Sequence, residues 1–206
     1  MIEFASKFGR LWHTVKHLKP SQFLYRLRRL QRNHLLGPSD YPRPLEGDFN
    51  ESIDPTLPLE ASANAVDGAR ALLGEGLRFV GRPPRPLEQI DWHRGPDDDL
   101  LWLFNLHYFG WAIPLARAWR ASQDAEFAHE ARRWMLDWVH ENPFPDSDGW
   151  HPYPTSRRLV NWAILLDATS DAPDTAASTP TLLSSIDQQA QFLADWPERE
   201  LEGNHL

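Results

Sequence analysis

Three stretches of this chain hold residues that could do chemistry on an acidic ligand. The last four residues, Gly203-Asn204-His205-Leu206, set an amide beside an imidazole. Both can donate hydrogen bonds to a carboxylate. Removing a proton alpha to a carboxylate is hard, because the anion resists more negative charge. Donors aimed at the carboxylate oxygens stabilise the enolate-like state as it develops. A base can then take the C5 proton of a uronate while an acid protonates the departing O4. The second stretch, LLWLFNLHYFGW at residues 100–111, is almost wholly apolar or aromatic, yet Asn105 and His107 sit inside it beside Tyr108. The third runs from Trp150 and Tyr153 to Arg157 and on to Asn161-Trp162. It offers rings that could stack on a sugar and a cation for an anionic one.

Each stretch also has an ordinary reading. Asn204 and His205 could be a polar chain end. Asn105, His107 and Tyr108 could form a satisfied polar knot in a core, since buried polar groups need partners. In a helix His107 lies near residues 103 and 104 while Asn105 points elsewhere, so the two need not converge. Trp150 and Tyr153 could be core, with Arg157 paired to an acid. Asp97-Asp98-Asp99 reads as helix-capping carboxylates rather than a metal site.

Other chemistries find less support. The nine histidines show no metal-ligand spacing, and H-E-x-x-H is absent. There is no G-x-S-x-G, P-loop or G-x-G-x-x-G. Nothing in the sequence calls for a cofactor. A glycosidase would need two opposed carboxylates. Glu198, Glu200 and Glu202 qualify by type alone.

The elements that must position these residues are helical. The chain has 206 residues, 41% hydrophobic, with ten Trp and no Cys. Such a composition folds, and most of the Trp should be core. The absence of Cys excludes disulfides and thiolate metal sites. The net charge of -8 is uneven: residues 1–44 hold nine Lys and Arg against two Asp and Glu, which leaves -15 for the rest. The arginine cluster at residues 26–32 has no accompanying nucleic-acid motif, so no nucleic-acid partner is expected. No run approaches the roughly 18 apolar residues of a membrane span. The N-terminus lacks a signal-peptide pattern, which makes the cytoplasm the default expectation.

Residues 1–60 read as two amphipathic helices, 4–18 and 21–35, and a Pro-rich connector at 37–58. Residues 61–206 read as one helical domain. A helix is expected over 61–73 and a short strand over 77–80. A helix over 100–120 should be kinked or broken at Pro114, and the clearest amphipathic helix covers 122–141. A further helix, which Thr155 or Ser156 can cap, should carry Leu159, Trp162, Ala163 and Leu166. After a small-residue linker at 170–179, Thr179-Pro180 opens a last helix with Leu182, Leu183, Ile186, Ala190 and Leu193 on one face. The whole suggests stacked helical hairpins.

Taken in order, Leu101-Trp-Leu-Phe-Asn-Leu-His-Tyr108, Trp150-His-Pro-Tyr-Pro-Thr-Ser-Arg157 through Asn161-Trp162, and Glu202-Gly-Asn-His-Leu206 resemble the N-terminal domain of the heparinase II/III family of polysaccharide lyases. The likeness covers roughly residues 77–206, with a looser one at 25–29. It implies a mainly α fold, an incomplete (α/α) toroid of helical hairpins, with the family's C-terminal β-sandwich absent from these residues. It implies β-elimination on uronic-acid polysaccharides such as heparan sulfate or alginate, hence an acidic polysaccharide partner and often an exported protein. Asn204 and His205 match the family's Asn-His pair, which engages the uronate carboxylate. Ligand roles follow less directly for Asn105, His107, Tyr108, Trp150, Tyr153 and Arg157. The family's tyrosine base lies downstream of the Asn-His motif, so the chain by itself is expected to be a truncated lyase with little activity. A non-catalytic helical module that binds acidic glycan or a partner protein is the alternative.

Overall fold

A computed structural model describes residues 64–145 and 147–195. The helices read at 4–18 and 21–35, the connector, and Asn204 and His205 lie outside the described residues. Among those described, six α-helices and no strand occur: α1 (Ala65–Glu75), α2 (Leu100–Tyr108), α3 (Ile113–Ser122), α4 (Ala125–Glu141), α5 (Pro152–Ala168) and α6 (Thr179–Asp195). The mainly α expectation holds. The strand read at 77–80 is instead one antiparallel bridge between Leu77 and Arg85. Gly76 precedes it at φ 91°, where a side chain would collide with the Arg85 carbonyl. Only glycine admits both the positive φ and that approach.

Local chemistry sets the helix ends. Asp99 caps α2, its Oδ1 accepting from the Leu101 and Trp102 amides at 3.0 and 3.1 Å. This is the capping role expected of the acidic run. Asp97 and Asp98 pair with Arg82 and Arg94. The expected helix over 100–120 is two helices, and the break is not at Pro114. Phe109 turns left-handed at φ 61°, a short 3₁₀ turn follows at Gly110–Ala112, and Pro114 then sits in the first turn of α3. A proline there forfeits no helical hydrogen bond, because the first-turn amides have no partner within the helix. Asp124 caps α4 through the Glu126 amide. α5 begins at Pro152 with His151 as its cap, ahead of Thr155 and Ser156. The Thr155 hydroxyl instead donates back to the His151 carbonyl at 2.9 Å.

Helices α3 and α4, and α5 and α6, pack as sequential hairpins, while α2 lies on α5 and α1 on α3. All eight described Trp are buried, and rings fill the space between the helices. The Trp138 ring lies 5.4 Å from Trp162 and 5.7 Å from Trp150, and Phe109 stacks on Trp92 at 5.6 Å. Each such burial contributes on the order of 2 kcal/mol, and the edge-to-face geometry adds to it.

Two departures come from buried polar groups. Arg132 of α4 is buried and reaches into the linker before α6. It donates to Thr169 Oγ1, the Thr175 carbonyl, Ser178 Oγ and Thr179 Oγ1 at 2.8–3.1 Å. A stretch of small residues is ordered there by one guanidinium. In α6 the buried face is Leu182, Ser185, Gln189 and Phe192, while Leu183 and Ala190 are exposed. The expected apolar face is rotated because Gln189 turns inward to a buried arginine.

Candidate functional site

α2 and α5 lie side by side, and each presents one stripe inward and one outward. In α2, Trp102, Leu103, Leu106 and His107 are buried, whereas Leu101 is exposed and Phe104, Asn105 and Tyr108 are half-buried. In α5, Thr155, Arg158, Trp162 and Leu165 point in, while Tyr153 and Asn161 are half-buried and Arg157 is exposed. Tyr153, Arg157 and Asn161 follow at i, i+4 spacing and so share a face. The outward stripes meet: the Tyr108 and Tyr153 rings are 5.6 Å apart edge to face, and Phe104 lies 5.2 Å from His151. Asn161 Nδ2 donates to the Tyr108 carbonyl at 2.7 Å, closing the end of α2 against α5. The result is a ridge of partly exposed rings, with an amide and a guanidinium beside it.

The sequence candidates therefore divide. Tyr108, Tyr153, Asn105 and Arg157 reach the surface on these two helices. Asn105 Nδ2 is engaged with the Leu101 carbonyl at 2.8 Å. His107 and Trp150 do not reach it. Trp150 is 1% exposed and donates to the Asn142 carbonyl at 3.0 Å, so it is core rather than a stacking platform. His107 is wholly buried and accepts from Trp138 Nε1 at 3.0 Å through Nδ1, which places its proton on Nε2. Nε2 makes no hydrogen bond of good geometry. Burial, and then the charge of Arg158, hold its pKa well below the ordinary histidine value, against a smaller opposing pull from the Trp92 carbonyl. His107 is a neutral core group.

Three residues outside the expected set shape this region. Phe104 and His151 extend the ring surface. Arg158, next to the expected Arg157, places its guanidinium carbon over the Trp138 ring, 3.7 Å from the centroid, and is fully enclosed. Its Nε donates to Gln189 Oε1 at 2.8 Å and its Nη1 to the Gly149 carbonyl at 2.9 Å, with longer contacts to Thr155 Oγ1 and the His107 carbonyl. Burial lowers its pKa well below the usual arginine value. One signal was available in the sequence. Arg158 stands four residues before Trp162 and seven before Leu165, on the buried stripe of the helix. Among the described residues no group of three His, Cys, Asp or Glu could hold a metal, and no helix is long and apolar enough to cross a membrane.

Comparison with known proteins bears on what this face belongs to. Residues 78–206 match the heparinase II/III N-terminus family. Heparin-sulfate lyase of Bacteroides stercoris is 36% identical over 150 residues, and heparin-sulfate lyase of Bacteroides thetaiotaomicron is 29% identical over 123 residues. These matches take in 58% and 57% of this chain. The chain spans only 21% and 17% of the length of those two relatives. No solved structure matches the chain. The match covers well over half of the sequence: the chain belongs to the heparinase II/III N-terminus family.

Proposed function

We propose that this chain is the N-terminal helical part of a polysaccharide lyase that cleaves uronic-acid glycans of the heparan sulfate type by β-elimination. The observation that carries the reading is the extent of the family match. It runs from residue 78 to residue 206 and so takes in α2, α5 and the Asn204-His205 pair in one continuous segment. In this reading Asn204 and His205 donate to the uronate carboxylate and stabilise the enolate-like state. Tyr108, Tyr153, Asn105 and Arg157 line the path of the glycan, with rings against sugar faces and the guanidinium toward an anionic group. His107 and Trp150 act behind that face and touch no glycan. The hairpins belong to an (α/α) toroid that other parts of the protein complete, and the base and acid of the elimination lie outside the described residues.

Product analysis tests the reaction type. Heparan sulfate treated with the full-length protein should yield oligosaccharides one water lighter than hydrolysis products, with the unsaturated sugar at the new non-reducing end. Products of hydrolytic mass would indicate a glycosidase.

A further inference from the structure

Arg158 is a buried side chain that the proposed reaction does not use. Its hydrogen-bond acceptors are all neutral: Gln189 Oε1, the Gly149 and His107 carbonyls, and Thr155 Oγ1. Among the described residues no carboxylate pairs with it. Buried cations are ordinarily paired, because desolvation penalises an isolated charge heavily. Here Gln189, 2.8 Å from Nε, occupies the place where a glutamate of the same shape would neutralise it. The charge is left uncompensated in a low-dielectric interior, where screening is weak and its field carries to the nearest surface. Two of its acceptors indicate which surface that is. The His107 carbonyl is one residue before Tyr108, and the Gly149 carbonyl belongs to the turn that leads into His151 and Tyr153. Asp148 in that turn is exposed and solvated, so it offsets the field little.

We propose that Arg158 is a specificity-determining residue of the α2/α5 face, a buried cation that makes this face prefer an anionic glycan to a neutral one of the same shape. The proposal rests on the glycan lying along α2 and α5, as argued above.

Gln189→Glu separates charge from shape. The new carboxylate still accepts from Arg158, and its second oxygen accepts the Ser185 hydroxyl where Gln189 Nε2 now donates to Ser185 Oγ at 3.1 Å. The experiment measures equilibrium binding of a heparan sulfate oligosaccharide and of its desulfated, carboxyl-reduced counterpart, at low salt, to full-length wild type, Gln189→Glu and Arg158→Met. Wild type should prefer the anionic oligosaccharide. Gln189→Glu should lose roughly threefold to tenfold of that preference, with binding of the neutral counterpart unchanged. Arg158→Met, which removes the charge, should lose the preference and still bind the neutral counterpart. A folded Gln189→Glu protein with undiminished preference overturns the proposal. If that variant does not fold, an undiminished preference in folded Arg158→Met overturns it equally. A wild type that binds neither oligosaccharide removes the α2/α5 reading and this inference together. A wild type that binds, with Gln189→Glu unchanged, removes the inference alone.

Discussion

The imidazole of His107 is kept neutral by burial and by the guanidinium of Arg158, which together depress its pKa well below the ordinary value. The unfolded chain titrates this group near about pH 6.5. Its contribution to stability is therefore complete above about pH 6.5. It is lost as pH falls below that value, by up to about 1.4 kcal/mol per pH unit until the depressed folded pKa is reached. Urea unfolding followed from neutral to mildly acid pH should show this slope, and His107→Gln should flatten it. An unchanged slope in the variant would contradict the account. The same ring leaves no room at Gly149, where a Cβ would stand 2.9 Å from His107 Cε1 and 3.0 Å from Ser147 Oγ. Gly149→Ala is expected to lower stability by about 1–3 kcal/mol, measured as a shift in the denaturation midpoint at constant m-value. Much of this was hidden at the level of single residues. The order N-L-H-Y allows a helix to turn Asn105 and His107 to different sides, as the sequence itself implied. It does not say that Tyr108 stays at the surface, or that Arg157 and Arg158 part company, because adjacent helical residues diverge by about 100°.

Elements were more legible than residues. α4 was readable because Phe127, Ala131, Trp134, Met135, Trp138 and Val139 repeat at helical spacing with charges between them; the first five are buried and Val139 is half-buried. The cap of α2 was readable too, as a short acidic side chain ahead of an apolar run. Asp99 both caps α2 and meets Arg82 Nε at 2.9 Å with its side chain largely covered. Asp99→Ala should destabilise the protein by about 1 kcal/mol or slightly more, whereas Asp97→Ala, on the well-exposed side of the same arginine, should change little. Equal effects from the two, by thermal or urea unfolding, would mean the cap contributes nothing. The break between α2 and α3 was misplaced because proline signals a helix start as well as a helix stop. The left-handed Phe109 that divides them is a residue type with no preference for that conformation. The face of α6 was misjudged for a different reason. Ser185 and Gln189 enter the core to serve Arg158, and apolar periodicity gives no account of a buried cation's partners.

At the scale of the whole molecule, the count of Trp and the succession of helical periods were enough for a mainly α domain with an aromatic interior. The eight described Trp, all buried, bear that out. The partly exposed rings are instead Tyr108, Tyr153 and Phe104, at the seam of two helices, where partial exposure depends on packing that no short motif encodes. The three ordered motifs were specific enough to place the chain in its family, and the family match covers the same segment. The measurement that tests the central claim most directly is the rise in ultraviolet absorbance of the 4,5-unsaturated uronate, with the full-length protein, heparan sulfate as substrate, and Asn204→Ala as the comparison. Wild type should give a steady rise, and Asn204→Ala should lose roughly 100-fold or more of the rate, as expected for removal of a donor that acts on developing charge. No absorbance change with wild type, or an undiminished rate in Asn204→Ala, would contradict the assignment of this chain to uronate β-elimination through Asn204 and His205.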